Sequence, residues 1–454
     1  MTLSERFVQL LADIDFARLG GESIQAAKSR CIDYLGATAG GVEQGELASH
    51  LLLELSRTAG KKGGECVVIG TPYKASVTEA AFVNGVTGHA LELDDGHRRG
   101  YGHPAVVVFS ALFPLAEKLH SSGKDFLAAT AVGYETFVRL GQVCNPGTLR
   151  RGFHTSGVVG TLAVAMAAAK LMRFDKRRML NALGVAGLSA SGLCITFHSG
   201  GSLKAFNTGR ASQNGLSAVK LASIGAEGAP DILEGKDGFF HAYSGQEINE
   251  RILLADVKAP LAVETSYVKF YPSCRYTHAP IDAALALRDK VKLEDIREII
   301  VTTYPTAIYL AAKKDLPSDL ATARFNIGFA VALALVKGQP SISDFHPDSA
   351  KDKMLQQLFT KIRFVEDPAY DSAENNIRGA AMDIVTANDK VSVRVPLPVG
   401  EPENPAPEKL YTTKFNDMAA AVWKPQRRKS ILKAVGRMEE LDDIRSLTRL
   451  LAAS

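Results

Sequence analysis

Closely spaced cysteines, a nucleotide-binding glycine loop, a long apolar run and a surplus of one charge are all missing from this chain. Its 5 cysteines are scattered, the nearest two being Cys31 and Cys66. No Cys-x-x-Cys metal or redox pair exists, and the odd number argues against a disulfide framework. A reducing cytoplasm is the expected location. No Gly-x-Gly-x-x-Gly follows a strand and no Gly-x-x-x-x-Gly-Lys-Ser/Thr occurs, which leaves a nucleotide cofactor without support. Gly-x-Ser-x-Gly and His-Glu-x-x-His are absent too, removing the hydrolase elbow and the zinc-protease helix. The 53 Lys and Arg nearly balance the 49 Asp and Glu, so no global field recruits nucleic acid or an anionic membrane. The most apolar stretch, Val158 to Ala169, is too short to span a bilayer, and the charged opening Met1-Thr-Leu-Ser-Glu-Arg is not a leader pattern. Neither export nor membrane insertion is expected.

What is present is helical periodicity. From residue 5 to about 260, apolar residues recur three and four apart, as in Phe126-Leu-Ala-Ala-Thr-Ala-Val132-Gly-Tyr-Glu-Thr-Phe137. Val158 to Lys170 and Ala182 to Gly192 are rich in small residues and apolar nearly all round, which places them inside a bundle. After about residue 265 the pattern changes. Ile296 to Tyr304 reads as a strand because β-branched residues dominate it, a helix is expected at about Asn326 to Lys337, and Met382 to Val395 alternates about Ala-Asn-Asp-Lys as a β-hairpin would. Pro396 to Pro407 is proline-rich and extended, a crossover back to the helical body. A last helix is expected from Ile431 to Ala453. The expected architecture is mainly α with a smaller α+β unit: a large discontinuous helical domain over residues 1–265 and 398–454, and an inserted α+β lid over 266–397.

Chemistry-bearing residues cluster in four segments. Glu92-Leu-Asp94-Asp95-Gly-His97-Arg98-Arg99-Gly-Tyr101-Gly102-His103-Pro104 gathers acids and bases in a glycine-punctuated loop, where an Asp beside a His supplies a base and its orienting partner. His103 is the stronger candidate, because Pro104 fixes its backbone in an extended shape, while His97 beside Arg98 and Arg99 is expected to face water. His154 stands just before the small-residue helix, where a positively polarised helix start favours a neutral imidazole; helix capping is the competing role. His198-Ser-Gly-Gly-Ser-Leu-Lys204-Ala-Phe-Asn207-Thr-Gly-Arg210 sets Lys204 at a helix start in a bed of small residues, a suitable place for a carboxylate. Lys269-Phe-Tyr-Pro-Ser-Cys-Arg275-Tyr-Thr-His278 lies at the domain junction, where ligand clefts tend to form. Tyr134 and Glu135 are weaker candidates, equally explained by a buried tyrosine with its hydroxyl paired. The remaining chemistry is metal-free acid–base catalysis on an anion, or carboxylate binding without turnover.

Taken in order, these segments resemble the MmgE/PrpD family. The match runs through Leu91 to His97 with His103-Pro104, Gly152-Phe-His-Thr-x-Gly-Val-Val-Gly-Thr, Gly201-Ser-Leu-Lys-Ala-Phe-x-Thr-Gly-Arg-Ala, Tyr271 to His278 and Gly400-Glu-Pro-Glu-Asn-Pro. The resemblance implies a helical domain with an α+β lid, a homodimer, and action on di- or tricarboxylates by dehydration, decarboxylation or epimerisation with neither metal nor organic cofactor. It also implies that Asp94, Asp95, His103, His154, Lys204 and His278 line the cleft between the domains. The leading expectation is a hydro-lyase in which His103 and His154 exchange protons, Asp94 or Asp95 orients one of them, and Lys204 and Arg275 hold carboxylates. Lys269, Glu92, Tyr134 and Asn207 complete the expected site. Two departures stand out: Glu92 and Gly96 where the family often has Asp and Thr, and Asn207 where it often has His.

Overall fold

The computed structural model describes residues 1–58, 64–197, 203–370 and 378–453. Six helices build the part of the body that carries the site: α1 (Val77–His89), α2 (Pro104–Leu119), α3 (Gly123–Cys144), α4 (Thr155–Leu171), α5 (Lys176–Ser189) and α6 (Lys204–Ser223). Their ends follow ordinary signals. Ser76, Ser122 and Asp175 accept backbone N–H bonds at the starts of α1, α3 and α5, and Pro104 occupies the first turn of α2. α4 is buried along nearly its whole length, as its lack of a polar face requires. Small residues set the spacing: a Cβ on Gly85 of α1 would meet Gly209 Cα of α6 at 2.8 Å, and one on Gly215 would meet Val164 of α4 at 2.6 Å.

One hydrophobic core runs through these helices and also takes in Phe415, Trp423, Ile431, Leu447 and Leu451 from the C-terminal part. The expected single helix at Ile431 to Ala453 is instead two, Pro425–Gly436 and Arg445–Leu451, with a 3-10 turn at Met438–Glu440 between them. The break has a cause. Leu441 O accepts from Gly123 N (2.8 Å) and Ile444 N donates to Ser121 O (2.9 Å), so this backbone is tied across to the start of α3 and keeps only short turns of its own.

A second core fills the α+β unit. Its sheet comprises β1 (Ile296–Thr303), β2 (Ile362–Glu366), β3 (Ala380–Thr386) and β4 (Lys390–Val395), in the order β2-β1-β3-β4. β1 pairs parallel with β2, Ile299 opposite Ile362, and antiparallel with β3, Val301 opposite Met382; β3 and β4 form the hairpin, Met382 opposite Val393. Helices His278–Leu287 and Ile327–Lys337 belong to the same core. Among the described residues no helix is long and apolar enough to cross a membrane.

Candidate active site

The site is built on the loop between α1 and α2. Its first acid, Glu92, has φ 56°, and Tyr101 further along has φ 54°. Such left-handed backbone at side-chain-bearing residues is held only where surroundings enforce it. Glu92 is enforced by two lysines. Lys204 at the start of α6 donates to Glu92 Oε1, while Lys269 donates to Glu92 Oε2 (3.2 Å) and to the Glu92 carbonyl (3.0 Å). Burial opposes ionisation of Glu92, but the Lys204 and Lys269 ammonium groups override it and hold the carboxyl well below the usual range. The glycine-serine bed before Lys204, His198 to Ser202, lies outside the described residues.

Three imidazoles gather beside this triad. His89, at the end of α1, was hidden from sequence reading inside an apolar helix. Its ring lies 4.7 Å from that of His103 and 6.3 Å from that of His154. His89 Nδ1 meets both Asp94 oxygens (2.8 and 2.9 Å), and its Nε2 stands 3.3 Å from Glu92 Oε1 without hydrogen-bond geometry. Burial keeps His89, His103 and His154 well below the usual imidazole range; the Lys204 charge adds to this at all three, and Asp94 opposes it at His103. Asp94 is raised by burial, with His103 acting against it. Asp95, pushed up to about 7 by burial, accepts from Tyr134 Oη (2.8 Å) and Ala105 N (2.9 Å).

Hydrogen-bond partners fix opposite tautomers for the two candidate catalytic histidines. His103 Nδ1 stands 2.6 Å from the Asp95 carbonyl, which can only accept, so Nδ1 carries the proton and Nε2 the lone pair. His154 Nδ1 faces the Asn207 amide nitrogen at 3.1 Å, and that nitrogen also donates to Leu193 O (3.3 Å). Here Nδ1 accepts, which puts the His154 proton on Nε2. His154 makes no side-chain cap on α4. One imidazole thus offers a base and the other a donor, at the wall of one cavity.

That cavity is lined by Glu92, His103, His154, Lys204, Lys269 and Arg275, with Tyr101, Tyr267, Tyr276 and Arg378 among the rest. Asp94, Asp95 and Tyr134 lie fully buried behind His103. His278, expected in the cleft, stands behind Arg275: its Nδ1 faces Arg275 Nη1 at 3.1 Å and its Nε2 faces Ser273 O at 3.3 Å. His97, expected to face water, is buried with Nε2 2.9 Å from Thr265 Oγ1, because the loop folds under the lid instead of over the surface. Three contributors besides His89 carry little signal in the sequence. Arg378 precedes β3 and stacks on Tyr101 at 5.1 Å. Arg324 donates to the Ala90 carbonyl (2.6 Å). Glu401, in the proline-rich crossover, accepts from Arg275 Nη2 (2.6 Å) and lies 3.2 Å from Arg98 Nε; the Gly400-Glu-Pro pattern was its only signal. Among the described residues, His89, Asp94 and His103 bring donor atoms within 4.8 Å of one another, the one grouping with metal-ligand proximity.

Comparison with known proteins identifies the family. Residues 5–251 match the MmgE/PrpD N-terminal domain and residues 271–439 the MmgE/PrpD C-terminal domain, and the chain belongs to this family. It is 28% identical over 413 residues to cis-aconitate decarboxylase of Aspergillus terreus, covering 86% of this chain and 84% of the relative. The human cis-aconitate decarboxylase is 26% identical over 463 residues, covering 99% and 94%. The 2-methylcitrate dehydratase of Cupriavidus necator is 24% identical over 393 residues, covering 81% and 80%.

Proposed function

We propose that this MmgE/PrpD member is a lyase acting on a small tricarboxylate, with proton abstraction next to a carboxylate as its first step. The opposed tautomers of His103 and His154 carry the reading. His103 Nε2 takes the proton from the carbon α to a carboxylate, and the freed pair forms the new double bond as the C–O bond on the neighbouring carbon breaks. The departing hydroxyl leaves as water, held by the His154 Nε2–H and taking a proton from the Lys204 ammonium. Neutral imidazole is a suitable donor here because it polarises without bringing a full charge beside two lysines. Lys269 and Arg275 bind carboxylates and stabilise the enolate-like charge, an effect worth on the order of 3 kcal/mol per donor. Glu92 holds both lysines until substrate carboxylates share them. Asp94 and His89 orient His103, and as product leaves the proton on His103 Nε2 passes back to the Lys204 amine, which restores both groups.

A second reading, loss of carbon dioxide in place of hydroxide, is favoured by the fuller coverage of the decarboxylase relatives. Proton NMR in D2O separates the two. 2-Methylcitrate whose methyl doublet collapses to an allylic methyl singlet supports the hydro-lyase, and cis-aconitate whose vinylic signal is lost with release of bicarbonate supports the carboxy-lyase. Lys204→Ala is expected to lower kcat/KM roughly 10²- to 10³-fold in either case; full activity in that variant would remove the site from consideration. The unpaired thiols, all five of them, support a cytoplasmic setting. A homodimer is supported by the exposed apolar residues Leu203, Phe206, Leu221 and Ile224 on and beside α6.

A further inference from the structure

Beyond the catalytic cavity the same walls open into a larger one. Tyr101, Leu149, Tyr276, Leu310 and Arg378 line both. The outer space is about 1860 Å³ and the inner about 640 Å³, each including its opening to solvent. Their chemistry differs. The inner walls carry lysine, arginine and imidazole groups, whereas the outer space is faced by Leu193 and Ile195 from the helical body and by Pro305 and Tyr309 beyond β1. Leu193, Ile195 and Tyr309 are 54%, 61% and 78% exposed, and apolar side chains grouped in this way around one hollow mark a binding surface rather than scattered exposure.

Arg378 stands at the junction. Its guanidinium is 5.1 Å from the Tyr101 ring centre and 5.9 Å from that of Tyr276, and it donates to the Arg98 carbonyl (3.0 Å). It belongs to both cavities and marks where the lysine and imidazole lining ends. The carboxylate-binding groups Lys204, Lys269 and Arg275 all line the inner cavity, and none of them lines the outer one. We propose that the outer cavity is a substrate subsite for an unbranched alkyl substituent, carried by the tricarboxylate whose acid groups sit among Lys204, Lys269 and Arg275. The assignment rests on the lyase reading above and narrows its substrate class to alkyl-substituted tricarboxylates longer than methyl. Direct continuity with the catalytic cavity selects this occupant, because a chain attached to the reacting carbon skeleton can reach past Arg378 without a separate binding event. Arg150 and Arg151 also line the outer space, where long stems cover apolar surface while their charged heads remain in water.

The test is a series of 2-alkylcitrates bearing methyl, ethyl, butyl and hexyl groups, assayed for turnover with the full chain. kcat/KM is expected to rise roughly fourfold per methylene over the first members, the factor given by ~0.8 kcal/mol per buried CH₂. Ile195→Asp and Tyr309→Asp are each expected to lower the hexyl-to-methyl ratio at least tenfold. A flat or falling series in which the methyl member is turned over overturns the subsite and leaves the lyase reading standing. A series in which no member reacts overturns the subsite, and the lyase reading falls with it when cis-aconitate also goes unconsumed. If the series is flat and Ile195→Asp also lowers the molecular mass measured by light scattering, the apolar walls belong to a second copy of the chain, which likewise overturns the subsite.

Discussion

Asn207 is small, buried and unable to titrate, yet it decides which nitrogen of His154 carries a proton. Its amide nitrogen approaches His154 Nδ1 at 3.1 Å, and that contact leaves Nε2 protonated. Exchanging the donor for an acceptor reverses this. In Asn207→Asp a carboxylate would take up the Nδ1 proton contact and stabilise an imidazolium, so the ring would offer the wrong nitrogen or an added charge. kcat is expected to fall roughly 10²-fold, with KM nearly unchanged and the His154 ¹⁵N resonances moved toward the Nδ1-protonated pattern. Unchanged kcat would show that the tautomer is irrelevant to the reaction. Much of the site was legible at this scale: Glu92, His103, His154, Lys204, Lys269 and Arg275 all line the cavity, because polar groups in glycine-rich or junction segments have few structural reasons to be there. His89 was not legible. Its neighbours Thr87 and Gly88 are ordinary core positions of α1, and only the turn at Ala90 to Asp94 folds its partner back onto it.

The position of Lys204 relative to Glu92 is set by how closely α6 approaches α1. Gly85 faces Gly209 so tightly that an added Cβ would sit 2.8 Å from backbone, which cannot rotate aside as a side chain can. Gly85→Ala must therefore separate the two helices, carrying the lysine away from the acid at the far end of α1. A loss of about 1–3 kcal/mol in urea unfolding is expected, accompanied by a lower kcat/KM. Gly436→Ala is the control, since its added Cβ meets nothing within 4 Å. Equal stability of the two variants would refute the close-contact argument. The helices themselves were readable from periodicity, and so was the hairpin of the lid. The break at residues 437–444 was not, because its hydrogen-bond partners Ser121 and Gly123 are far away in sequence and local propensity carries no trace of them.

Across the whole molecule, the two cores are joined by charge buried between them, and this makes stability depend on pH. Glu401 leaves the crossover to meet Arg98 of the body and Arg275 of the lid, a role that the proline-rich composition alone did not suggest. Five imidazoles are held neutral in the same zone: His89, His103, His154 and His278 lie well below the usual range, and His97 is pushed down to about 3, burial being the first cause in each case. In the unfolded chain these groups titrate near 6.5. As pH falls below that value the unfolded state binds protons that the folded state does not, so stability is lost at up to ~1.4 kcal/mol per pH unit for each histidine. Asp95 acts in the other direction. Its folded pKa of about 7, raised by burial against the opposing Arg30 charge, exceeds the unfolded value, and its contribution is lost as pH rises from about 4 to about 7. Burial raises the carboxyls of Asp33, Asp94 and Asp282 in the same direction as Asp95; the five imidazoles outnumber these four carboxyls, and the urea midpoint is expected to fall from pH 7 to pH 5.5. His278→Asn, behind the cavity wall, should reduce that slope by up to ~1.4 kcal/mol per pH unit, while Asp95→Asn should steepen the net loss toward acid by removing the opposing term. Identical slopes in the wild type and both variants would mean that these groups are not held in the neutral forms their burial dictates.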